Sequence, residues 1–136
     1  MQFSDSLEDT MAGGIVAALN NNLGTASELK FYDGTLPAAT TDPDDGTLLV
    51  TMPMVATPFS WGDDPDRMIC DISTAGATVI ANGTVQYWRL KNDLGVTVMQ
   101  GTAGSSGEEI NFNNAAWTVG QFPFLTAWTI EITFTP

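Results

Sequence analysis

The spacing of apolar positions divides the chain near residue 25. Before that point Leu7, Met11, Ile15, Leu19 and Leu23 recur at every fourth residue, which predicts a helix over residues 5–23. Asp5 with Glu8 resembles an N-terminal cap, and Gly24 supplies a stop. Gly13 and Gly14 each cost about 1 kcal/mol relative to Ala inside a helix, so the segment needs a surface to pack against. Residues 1–24 therefore read as a helix or docking arm, and residues 25–136 as a single β domain.

From residue 29 onward the period falls to two, with turn residues between runs rich in Val, Ile, Thr and aromatics. Strands are predicted at 28–33, 47–54, 67–72, 77–81, 84–91, 96–100, 108–113 and 124–135. Eight short strands at this spacing predict a mainly β chain, an antiparallel β-sandwich or small barrel with a short N-terminal helix or arm. In the last strand Phe124, Trp128, Ile130, Ile132 and Phe134 share one face, while Thr129, Glu131, Thr133 and Thr135 share the other. Residues 84–100 read as a hairpin through Asn92-Asp93-Leu94-Gly95. Alternation sets Trp88 and Leu90 on one face, and Val85, Tyr87, Arg89 and Lys91 on the other.

Charge narrows the functions this fold can serve. The chain of 136 residues holds sixteen carboxylates against four Lys and Arg, a formal net charge of −12. Affinity for a nucleic-acid backbone comes mainly from cations that release condensed counterions, so nucleic acid and acidic membranes are disfavoured partners. The single cysteine, Cys70, permits no intrachain disulfide. The opening MQFSDSLEDT lacks a basic and then apolar leader, and no apolar run approaches a membrane span, so the expectation is synthesis in a reducing cytoplasm.

Candidate chemistry is sparse. With no histidine and no GxSxG elbow, nucleophilic catalysis lacks its usual base. TTDPDDGT (40–47) and WGDDPDR (61–67) concentrate oxygen ligands but do not match an EF-hand, and read as solvated turns. Glu28, Glu108 and Glu109 offer no singled-out pair for glycoside hydrolysis. The expectation is a non-enzyme with no catalytic residues, cofactor or metal. Arg89 and Lys91 invite two readings: cations on the wet side of a strand, or, with Tyr87, an amphipathic patch facing an acidic neighbour. Trp61 and Trp117, at loop or strand ends, are the candidate contacts of a sugar-stacking surface.

The order of motifs carries a resemblance. ALNNNLG closing the helix, then LKFYDGTLPAATTD, GTVQYWRLKNDLGVTVMQGTAG, EINFNNAAWTVGQ and a long terminal strand resemble small virion proteins of tailed bacteriophages and prophages, described as head decoration or cement proteins. The chain departs from that pattern at Leu36, where Arg is frequent, and at FSWGDDPDR, where a small-residue loop is usual. The resemblance implies a structural subunit on the capsid exterior that stabilises the shell, with the major capsid protein and copies of itself, as in a trimer, for partners. Leu7, Met11, Ile15 and Leu19 on the helix, with Tyr87, Arg89 and Lys91, are then the candidate partner-interface residues. The alternative is a tail, fibre or head-fibre module that binds a host glycan through Trp61 or Trp117.

Overall fold

A computed structural model describes residues 5–63, 66–72, 77–123 and 127–131, with side chains described for residues 11, 13–60 and 77–123. The chain is mainly β, with one helix among the described residues. Helix α1 (Asp5–Leu23) is followed by β1 (Glu28–Tyr32), β2 (Leu48–Asp63), β3 (Asp66–Ile72), β4 (Gly83–Thr84), β5 (Tyr87–Lys91), β6 (Thr97–Gly104), β7 (Ile110–Asn111), β8 (Ala116–Trp117) and β9 (Ala127–Glu131). Seven strands form one sheet in the order β7-β6-β5-β1-β2-β3-β9, and β4 pairs with β8. Within this order a curled five-strand mixed sheet forms a half-barrel.

The predicted helix matches α1 in its bounds. Several strands differ from expectation. Strand β2 runs to Asp63, well past residue 54, and pairs antiparallel with β3, so residues 61–63 and 66–67, read as turn, are strand. The register of that pair shifts between Met54 and Phe59, where Thr57 takes a positive φ of 51°. Such a bulge lets one long strand leave its pairing with β1 and enter its pairing with β3. The expected strand at 77–81 is irregular, yet Val79 and Ile80 donate to the carbonyls of Gln121 and Leu49. The sheet is mixed where full antiparallel pairing was expected, because β7 lies parallel to β6 for two residues. Asn111 braces the short crossover, with its side chain bonded to both the N–H and the carbonyl of Glu108. Trp128 lies in β9 with its side chain outside the described residues, and Phe124, Ile132 and Phe134 of the predicted strand lie outside them altogether.

The core lies under one face of the sheet. Leu29 and Phe31 on β1, Val50 and Met52 on β2, Trp88 and Leu90 on β5, and Ala103 on β6 are all buried. Phe31 packs edge-on against Phe112 and Trp117, with ring centroids 5.3 and 5.9 Å away. The C-terminal half of α1 joins this core through Val16, Leu19 and Leu23. Asn20 locks the helix to the bulge, because its side-chain amide donates to the Phe59 carbonyl at 2.9 Å and accepts the Phe59 N–H at 3.0 Å.

Removing the central ring should be severe. Phe31→Ala is expected to lower unfolding stability by about 3–5 kcal/mol, measured as a shift in urea denaturation at unchanged slope.

Candidate functional site

The opposite face of the sheet carries the polar residues. Antiparallel register sets Lys30 beside Arg89, Tyr32 beside Tyr87 and Glu28 beside Lys91. On the next strand Gln100 lies opposite Arg89, and Thr102 opposite Tyr87. Three of the four basic side chains in the chain therefore share one face of β1 and β5.

This face is not wet at its Tyr32–Tyr87 end. Arg89 is 1% exposed and Tyr87 is fully buried, which overturns the expectation of a solvated or docking surface there. The cause is the loop of residues 33–47, which folds back from β1 over β5 before entering β2. Arg89 donates from Nη1 to the Asp42 carbonyl at 2.8 Å and to Asp44 Oδ1 at 2.7 Å, and from Nη2 to the Ala39 carbonyl at 3.1 Å. Its Nε donates to Gln100 Oε1 at 3.1 Å, and Gln100 in turn donates to the Pro37 carbonyl at 2.7 Å. A buried cation is tolerated only when such acceptors replace its hydration.

Asp44 is the other centre of the arrangement. Its Oδ2 accepts from Lys91 Nζ at 2.6 Å and from the Tyr32 hydroxyl at 2.9 Å. Tyr32 and Tyr87 stack with centroids 4.9 Å apart and planes 9° from parallel. The Tyr87 hydroxyl donates to the Asp45 carbonyl at 2.7 Å and accepts the Asp45 N–H at 2.8 Å. The base of the loop is closed by Asp33, which accepts from Thr47 N–H, and by Asp45, which accepts from Thr35 N–H. Gly34 and Gly46 cross there so closely that a Cβ on either would collide with backbone of the other strand of the loop, and Gly46 also has a φ of +75°.

Partial burial raises the Asp44 carboxyl, but hydrogen bonds from Lys91, Arg89 and Tyr32 outweigh it and hold the group below its ordinary value. Tyr32 is pushed well up by burial and then by its bond to Asp44. Burial also raises Tyr87, assisted by the charge of Asp44 and opposed by its bond to Asp45. The loop is thus held as one ionic and phenolic clamp whose members all lie in this chain.

The other candidate residues are scattered. On α1, Met11 and Ile15 are exposed while Leu19 packs partly on the core; the Leu7 side chain lies outside the described residues. Trp61 sits in β2 with its side chain also outside them. Trp117 is no open platform: it is 5% exposed, donates from Nε1 to the Asn114 carbonyl at 2.8 Å, and meets Phe112 edge-on at 4.9 Å. Among the described residues no group of three or more Asp, Glu, Cys or His side chains is arranged to hold a metal ion. Sequence reasoning missed Tyr32, Asp44 and Gln100. The available signal was the acidic run 42–45 in a chain with few cations to meet it.

No family model matches the chain, and no curated protein or solved structure is similar to it.

The clamp should respond to pH at both ends. The Asp44 pKa is depressed on folding, so its contribution is present above the unfolded carboxyl value of about 3.9 and is lost as pH falls through the folded value. The tyrosine values are raised on folding, so their contribution holds below about pH 10 and is lost on further alkalinisation. Hydrogen exchange of the Asp45 amide is expected to be slow between these limits and to accelerate outside them. Asp44→Ala should cost about 1–3 kcal/mol, because the Asp44 side chain is 32% exposed and Gln100 and two loop carbonyls still serve the buried Arg89. In that variant the acid-side acceleration should disappear.

Proposed function

We propose that the protein is a structural component of a tailed-bacteriophage virion, a decoration or cement subunit on the outer surface of the capsid. The observation that carries this reading is the division of α1. Its C-terminal half is docked through Val16, Asn20 and Leu23, whereas Met11 and Ile15 are 38% and 45% exposed. An apolar stripe that the subunit's own core does not use favours a protein partner. The net charge of −12 favours an exterior position away from packaged DNA, whose phosphates would repel it. The clamp supports a structural role as well, since it commits the cationic strand face to internal cohesion.

The partners in this proposal are the major capsid protein and further copies of the subunit, as in a trimer, with assembly in the host bacterial cytoplasm. The sandwich or small barrel expected of such a subunit belongs to the same proposal, and the curled sheet supports it. A subunit that binds only the assembled shell stabilises it by mass action, as any state-specific ligand does. The Arg89 face contributes rigidity in this reading, and the N-terminal half of α1 supplies contact.

Virions disrupted and separated into heads and tails should carry the polypeptide in the head fraction, in copy numbers comparable with the major capsid protein. A few copies confined to tails would reject the assignment in favour of receptor binding. The double variant Met11→Ser, Ile15→Ser should unfold at the same urea concentration as the parent and bind purified heads about tenfold or more weakly.

A further inference from the structure

We infer that the cavity between residues 112–117 and 121–123 is a binding site for a neutral saccharide. It has a volume of about 330 Å³ and is lined by Phe112, Asn113, Asn114, Trp117, Gln121, Phe122 and Pro123. None of these residues is charged, in a chain that has sixteen carboxylates. The volume falls at the lower end of the range for small-molecule sites, enough for one sugar ring with a substituent.

The lining pairs a fixed aromatic floor with free amide donors. Phe112 and Trp117 are held edge-on at 4.9 Å and are both packed on Phe31, which prevents the floor from collapsing into the space. Phe122, by contrast, is 72% exposed and adds an accessible aromatic side chain to the lining. The side-chain oxygen of Asn114 accepts the Ala116 N–H at 3.0 Å, and that of Gln121 accepts the Thr118 N–H at 2.9 Å. Each amide is therefore oriented through its oxygen, with its NH₂ group left without a protein acceptor among the described residues. Asn113 adds a third carboxamide.

This combination selects a ligand class. An apolar molecule would strip water from the amide donors and return no acceptor, at a cost typical of unsatisfied polar groups. An anion would meet no counter-charge in the lining and a net negative protein around it. A neutral sugar presents hydroxyl oxygens to the carboxamides and a face of C–H groups to Phe122, so both halves of the lining are used. This site is separate from the α1 surface of the shell reading and stands or falls without it.

The test is ligand-observed NMR of the full chain with neutral hexoses, N-acetylhexosamines and their short oligomers, with sialic acid and benzyl alcohol as contrasting probes. Saturable binding of at least one neutral sugar is expected at about millimolar Kd. Phe122→Ala should weaken it about tenfold, and Asn113→Ala should weaken it measurably. Both residues lie outside the buried core, so far-UV circular dichroism should be unchanged. Absence of saturable binding by any neutral sugar would overturn the inference. So would binding confined to sialic acid or benzyl alcohol, or neutral-sugar binding that neither substitution alters.

Discussion

A guanidinium removed from water has to find its hydrogen bonds elsewhere, and much of this molecule is arranged around that requirement. Arg89 draws acceptors from Asp42, Asp44 and Ala39 in one loop and from Gln100 on the neighbouring strand. For three groups of one loop to reach one side chain, the loop must lie flat on the sheet. To lie flat it must leave and re-enter the sheet at almost one point, and the Gly34–Gly46 crossing allows that where larger residues would collide. The Arg89–Asp44 pair, buried on the arginine side only, need not add net stability relative to an apolar replacement. Its effect is selection: few other arrangements of residues 33–47 would satisfy Arg89, Lys91, Tyr32 and Tyr87 together.

The same requirement explains what was legible in the sequence. Period-two alternation correctly separates Trp88 and Leu90 from Tyr87, Arg89 and Lys91, because alternation reflects backbone geometry that each strand carries locally. It cannot tell whether the second face meets water or another segment, because that depends on a loop over forty residues away in sequence. Strand β5 is buried on both faces, which in an antiparallel sheet is the exception. The bulge in β2 was hidden for a similar reason. The sequence pattern ends a strand at residue 54 and reads the acidic stretch 61–67 as a turn, whereas the second half of β2 is set by its pairing with β3.

The helix shows a finer limit of pattern reading. Residues four apart advance 400° around an α-helix, so each step of a strict four-residue repeat drifts about 40°. From Met11 to Leu23 the drift is about 120°. A line of apolar residues that appears single in sequence is therefore a stripe that winds off the docking face. Leu23 ends in the core, Leu19 lies at its edge, and Ile15 and Met11 emerge into solvent. The sequence correctly predicted an apolar helix, but the winding of its stripe gives the helix two destinations. That geometry is the physical basis for assigning its two halves to different tasks.

Charge is distributed with the same economy of partners. Lys91 and Arg89 are consumed by Asp44, and Lys30 lies 3.9 Å from Glu28 on the same strand, so the described cations are matched within the chain. The remaining carboxylates leave a negative exterior, which discourages anionic ligands and polyanions over most of the surface. Against that field an uncharged cavity floored by Phe112 and Trp117 is chemically distinct. A long-range field decays within about one Debye length and leaves a neutral ligand unaffected, so the cavity can discriminate by shape and hydrogen bonding alone. The proposed adhesion through an apolar helix stripe and the inferred recognition in a neutral pocket would make separate demands on the fold, both compatible with a sheet braced by one buried arginine.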